Sequence, residues 1–140
     1  MRWFMYPAML LVALALPFTA PTVQAANTDP LFVNATSDEG HRAMMALTFA
    51  QNQLNRHHPV TIFLNDRGVF VGSKANAGKF KEQQELLAKL MSAGANVLIC
   101  PFCMKHYGVA EADLLPGIRV GNPELTGEAL FREGTRTLTW

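Results

Sequence analysis

Short apolar runs suited to strands alternate with stretches suited to helices along nearly the whole chain, and this alternation constrains the fold more than any other feature. The strand-like runs are Leu31-Phe32-Val33-Asn34, Val60-Thr61-Ile62-Phe63-Leu64, Asn96-Val97-Leu98-Ile99, Gly117-Ile118-Arg119-Val120 and the closing Thr135-Arg136-Thr137-Leu138-Thr139-Trp140. Between them, Thr36-Ser37-Asp38-Glu39 matches a capping box, and Ala43, Ala46, Leu47, Ala50 and Leu54 recur behind it at helical spacing. Strong helix formers fill positions 80–93, and Asn122-Pro123-Glu124 opens a further helix that runs to about Phe131. A shorter helix is expected near Met104 to Tyr107, and a helical turn at Ala110 to Leu114. Asn65-Asp66-Arg67-Gly68 is a turn signal, with Val69-Phe70-Val71 expected as a short extended piece after it. Strands and helices in strict alternation give an α/β domain with a mainly parallel sheet covered on both faces. In such sheets reactive groups collect beyond the C-terminal strand ends.

The first residues stand apart from this pattern. Met1-Arg2 precedes an apolar stretch over 4–16, and Val23-Gln24-Ala25 offers small residues for cleavage, the build of a secretory signal. Pro7 and Pro17 interrupt the stretch and keep it shorter than a spanning helix needs. The expectation is therefore a signal peptide over 1–25, a single domain over 26–140, and a periplasmic or secreted protein that meets the membrane only during export. The chain has 12 Lys and Arg against 11 Asp and Glu, and removal of Arg2 balances the signs. No basic run or aromatic-interleaved basic stripe is present, so nucleic acid is not an expected partner.

The only two cysteines stand together in Cys100-Pro101-Phe102-Cys103, directly after the third strand-like run. That spacing puts Cys100 at a helix N-cap with Pro101 at the first helical position, and Cys103 one turn on, beside it. Unpaired N–H groups and the positive end of the helix dipole favour a thiolate there. Lys105 and His106 follow and add positive potential. Three chemistries fit. Cys100 can act as a nucleophile that takes up sulfur or exchanges disulfides, with Cys103 resolving the adduct. The pair can form a structural disulfide, although so short a loop restrains the unfolded chain little. Cys100, Cys103, Met104 and His106 also form a soft donor set of the kind Cu(I) takes, in an oligomeric binding or scaffold protein. A thioredoxin-like arrangement fits less well, because a strand-helix-strand-helix precedes the motif and Pro116 is the only later proline placed to face it. The turn from Asn34 through Thr36 to Glu39 falls at the end of another strand and is expected on the same rim. His41 and Arg42 lie near it, where they can hold an anion or assist proton movement. His57 and His58 are read as exposed, and Arg119 as a residue able to reach an anionic partner. No Ser-His-Asp arrangement, P-loop, zinc-protease motif or Gly-rich nucleotide fingerprint is present.

The opening Leu31 to Asp38 segment, Val60 to Asn65 before Gly68-Val69, and Cys100-Pro101-Phe102-Cys103-Met104 resemble, in order and spacing, the small exported members of the DsrE/DsrF-like family. The resemblance covers nearly all of 26–140. It implies a three-layer α/β/α domain with a mostly parallel sheet of about five strands, assembling into homo-oligomers, commonly trimers or hexamers. It also implies sulfur relay, in which a cysteine after a central strand accepts sulfane sulfur as a persulfide and hands it on, and Cys100 occupies that place. Such a carrier needs a sulfur donor and an acceptor, protein or small compound, and a thiol reductant in its compartment.

Overall fold

A computed structural model describes residues 28–140, so the expected signal peptide and its cleavage site lie outside the described residues. Five strands, β1 (Leu31–Ala35), β2 (Val60–Leu64), β3 (Asn96–Ile99), β4 (Arg119–Val120) and β5 (Arg136–Thr139), alternate with α1 (Gly40–Asn55), α2 (Ala77–Ser92), α3 (Pro101–Tyr107) and α4 (Pro123–Leu130). They form one sheet in the order β4-β3-β2-β1-β5, and every neighbouring pair is parallel.

Strand order and crossover handedness together decide which helix covers which face. The steps β1 to β2, β2 to β3 and β3 to β4 all move across the sheet in one direction. Right-handed crossovers therefore put α1, α2 and α3 on the same face. The step from β4 back to β5 runs the other way, which carries α4 over the opposite face and completes three layers. Strand residues with period 2 fill the first interface: Leu31, Val33, Ala35, Val60, Ile62, Leu64, Val97 and Ile99 pack with Ala46, Leu47 and Ala50 of α1 and Leu87 and Leu90 of α2. Met104 of α3 joins the same core. On the opposite face Phe32 and Phe63 meet with ring centroids 6.1 Å apart, while α4 has no fully buried residue.

The capping of α1 differs from the sequence expectation. Glu39, not Thr36, is the cap, and its carboxylate accepts from the backbone N–H of His41 at 2.9 Å and of Arg42 at 2.7 Å. An ionised acceptor next to the helix outcompetes a hydroxyl three residues back. The Thr36 hydroxyl instead donates to the Trp140 carbonyl at 2.5 Å, tying β1 to the end of β5.

Val69-Phe70-Val71 is not extended. Residues Asp66–Phe70 form a 3₁₀ turn, capped by the Asn65 side chain on the Asp66 N–H, and Val69 and Val71 point inward and are buried. His58 is likewise not simply exposed, since its Nδ1 lies 2.8 Å from the Asp29 carbonyl. The 3₁₀ turn sits so tightly on the sheet that a Cβ at Gly68 would come within 2.1 Å of the Ala35 carbonyl oxygen. Gly68→Ala is therefore expected to destabilise the fold by about 1–3 kcal/mol or more, whereas Gly78→Ala, with open space around it, changes stability by less than about 1 kcal/mol. Urea unfolding midpoints of the two variants measure the contrast.

Candidate functional site

Parallel register brings the ends of the central strands to one level. Ala35 pairs with Leu64, Leu64 with Ile99 and Ile99 with Val120, so Thr36, Asn65, Cys100 and Gly121 stand side by side on the C-terminal rim. The ladder continues one residue past the strands: the N–H groups of Asn65, Cys100 and Gly121 donate to the carbonyls of Ala35, Leu64 and Ile99 at 2.9, 3.0 and 2.8 Å.

Cys100 is the N-cap of α3, with extended backbone, and Pro101 begins the helix. Its Sγ accepts a hydrogen bond from the Cys103 N–H at 3.3 Å, one of the helix donors that would otherwise lack a partner. Both cysteines are unbridged and partly exposed. Cys103 is held from the neighbouring loop. Its Sγ donates to Asn65 Oδ1 at 3.0 Å and receives the Asp66 N–H at 3.3 Å. Burial, and then the hydrogen bond with Cys100, push the Cys103 thiol up to about 11. At neutral pH Cys103 is a neutral thiol.

The loop that holds Cys103 is itself fixed on both sides. Asp66 takes a left-handed φ of 45°, and the Tyr107 hydroxyl at the end of α3 donates to its Oδ1 at 2.5 Å. That bond raises the Tyr107 pKa. Arg67 forks onto Asp38 through Nε and Nη2 at 2.8 and 2.7 Å, and lies over the rings of Phe70 and Tyr107 at 5.7 and 6.0 Å. Lys79 of α2 reaches the same carboxylate at 3.2 Å. The Arg67 guanidinium, more than Lys79, holds the Asp38 carboxyl well below the usual carboxylate range. The Glu39 carboxyl is lowered by the backbone N–H groups of His41 and Arg42. The rim carboxylates are thus occupied: Asp38 by cations, Glu39 by a helix end and Asp66 by a phenol.

Other residues singled out from sequence are placed less centrally. The His41 and Arg42 side chains are exposed on α1, and the groups they contribute locally are their backbone N–H donors. Asn34 lies on the sheet face opposite the main core, with its Oδ1 buried and without a hydrogen-bond partner among the described residues. Met104 is core, and His106 is exposed with its ring edge-on to Tyr107 at 4.7 Å. The four soft donors are therefore not gathered at one point, and among the described residues no three His, Cys, Asp or Glu side chains cluster as a metal site. A cleft of about 570 Å³ opens at the opposite strand ends, lined in part by Asn96, Arg119, Glu128 and Arg132. There Arg119 donates to Asn96 Oδ1 at 2.7 Å. This cleft lies at the end of the sheet away from the thiols. Asn65, Asp66 and Tyr107 had no role in the sequence reading beyond a turn and a helix end. The signal available for Asn65 is its place: it follows β2 as Cys100 follows β3.

A parallel five-stranded sheet with α1, α2 and α3 on one face and α4 on the other defines an α/β/α class. The DsrE/DsrF-like family model matches residues 25–139, and the chain belongs to that family. Among its relatives are the uncharacterized proteins MK0008 of Methanopyrus kandleri and MJ0989 of Methanocaldococcus jannaschii. Each is 38% identical over 80 residues, or 56% of this chain, and the matched stretch spans 66% and 70% of their own lengths. The fold is shared with the YchN protein of E. coli, at TM-score 0.60 and 17% identity over 81% of this chain and 99% of that one. It is also shared with MTH1491 of Methanobacterium thermoautotrophicum, at TM-score 0.63 and 17% identity over 79% and 98% of the two chains.

Two expectations follow from this geometry. Alkylation of Cys103, followed by peptide mass mapping in the wild type, should keep accelerating with pH and level off only near about 11; a plateau near the free-cysteine value of about 8.5 would contradict the held thiol. For Asp38, the lowered carboxyl means that its contribution to stability is present above the unfolded value of about 3.9 and is lost as pH falls below it. The melting temperature should accordingly fall more steeply on acidification in the wild type than in Asp38→Asn, and the difference should shrink in high salt.

Proposed function

We propose that this protein is a sulfur carrier in which Cys100 accepts sulfane sulfur as a persulfide and Cys103 is its thiol partner. Membership of the DsrE/DsrF-like family supports a sulfur-relay type of role. The observation that carries the finer reading is the asymmetry of the pair. Cys100 caps α3 and receives a backbone N–H, as a thiolate or a persulfide anion requires, whereas Cys103 is partly buried, donates its proton to Asn65 and stays neutral. Two equivalent cysteines would suit a staple; this pair divides the roles of acceptor and proton-bearing neighbour.

A carrier does not turn over substrate alone. In this reading a donor delivers sulfur to Cys100, an acceptor removes it, and a reductant keeps the pair open in an oxidising compartment reached by export after Ala25. Phe102, 80% exposed between the two cysteines, is where such partners would touch the protein. The working unit in this reading is a homo-oligomer, a trimer or hexamer. Pooling thiols across subunits is also the arrangement in which Cu(I) would find a complete donor set, since one subunit supplies two sulfurs.

Intact mass after incubation with a sulfane-sulfur donor, followed by thiol trapping, tests the reading. The wild type should gain one sulfur and Cys100→Ser none, with the variant still folded. A closed disulfide that resists mild reductant and takes up no sulfur would overturn it in favour of a structural pair.

A further inference from the structure

We propose that Asn65 is a positioning residue that holds the Cys103 thiol proton and so slows attack by Cys103 on whatever sulfur Cys100 carries. The inference rests on Cys100 being the carrier. It answers a difficulty that this reading creates, because a persulfide beside a second thiol destroys itself. In that reaction the Cys103 sulfur, having given up its proton to water, forms a bond to Cys100 Sγ. The bond between Cys100 Sγ and the sulfane sulfur breaks, and the sulfane sulfur leaves as hydrosulfide with the electron pair. Disulfide and hydrosulfide are the products, and no outside oxidant is needed. A carrier with a neighbouring thiol keeps its cargo only if that thiol is restrained.

The restraint is visible in the hydrogen bonds. Cys103 has one proton, and Asn65 Oδ1 takes it at 3.0 Å. One lone pair of the same sulfur accepts the Asp66 N–H at 3.3 Å, a bond that by itself favours the thiolate. Attack requires the sulfur to give up the proton that Asn65 holds. Asn65 does not move easily, because its N–H is bonded to Ala35 at 2.9 Å and its Oδ1 also caps Asp66 at 2.9 Å. Asp66 is held in turn by Tyr107 of α3, the helix that Cys100 caps and that carries Cys103. The clamp and the thiol it restrains therefore belong to one closed ring of contacts. Among the described residues, Cys100 and Asp66 face the Cys103 thiol, and Tyr107 and Arg67 stand behind Asp66.

An aromatic disulfide, 5,5′-dithiobis(2-nitrobenzoate), tests the clamp in the purified protein without any sulfur donor. Reaction at Cys100 releases a first nitrothiobenzoate. Attack by Cys103 on the mixed disulfide releases a second, at a rate independent of reagent concentration, and that second phase should be absent in Cys103→Ser. In Asn65→Ala the second phase should be about fivefold faster, the rate equivalent of one neutral hydrogen bond. In Asn65→Asp an anionic acceptor holds the proton more firmly, so the phase should be slower than in the wild type and its pH profile shifted upward. Circular dichroism establishes that each variant is folded. An Asn65→Ala rate equal to or below that of the wild type overturns the proposal, and if that variant does not fold, an Asn65→Asp rate equal to or above the wild type does so. These phases are read on the thiols alone, so they decide the role of Asn65 even if Cys100 takes up no sulfane sulfur.

Discussion

Parallel pairing in register is the constraint on which the rest of this structure depends. Because β1, β2 and β3 end level, the chain leaves the sheet at Thr36, Asn65 and Cys100 in three adjacent places. Each departure is fixed by one more ladder hydrogen bond beyond the strand. A shift of one residue in β3 would turn its buried set, Val97 and Ile99, to the other face and leave Leu98 facing α1 and α2. The hydrophobic pattern that fills the core is therefore also what sets the Cys100 sulfur beside the Asn65 loop. Met104 extends the same logic into α3, since its side chain in the core fixes the rotation of the helix that carries Cys103.

Electrostatics then shape the rim on which the two thiols stand. A parallel α/β sheet with right-handed crossovers points its helix N-termini toward the C-terminal strand ends, so partial positive charge gathers on the rim. Side-chain carboxylates placed there would cancel it, but Asp38, Glu39 and Asp66 are each committed to a neighbour. Asp38 is useful for a second reason. Its fork with Arg67 spans from the β1–α1 turn to the loop after β2, and Lys79 adds α2 to the same cluster. Exposed ion pairs contribute little to stability singly, and the value of this one lies in fixing the loop that supplies Asn65 and Asp66.

Much of this was legible in the sequence. Strand and helix positions follow from periodicity and breakers, and Pro101 and Asn122 mark the starts of α3 and α4 by ordinary capping chemistry. Where the sequence misleads, tertiary contacts override local preference. Thr36 looks like a cap because its spacing to Glu39 fits, but a carbonyl of Trp140, over a hundred residues away, claims its hydroxyl. Val69-Phe70-Val71 looks like a strand because its residues favour one. A 3₁₀ turn wins there because Gly68 must sit on the Ala35 carbonyl and both valines can then reach the core. The cysteine pair was found by its type and spacing. Its asymmetry was not legible, because Asn65 and Asp66 lie 38 and 37 residues from Cys103 and meet it only through the sheet.

That asymmetry bears on why a short C-x-x-C pair belongs here at all. As a staple it would be poor, because a disulfide that closes so few residues removes little entropy from the unfolded chain. The core, with Val33, Ile62, Leu87, Leu98 and Ile99 all fully enclosed, does not depend on one. The thiols are also partly exposed, which a structural bond would not require. What the local structure invests in is different: a helix end for Cys100, and an amide, a backbone N–H and a phenol-braced aspartate around Cys103. Each of these acts on the charge or the proton of a sulfur, and none is needed merely to bring two sulfurs together. In the proposed carrier, these contacts would govern the reactivity of the pair and how readily it closes.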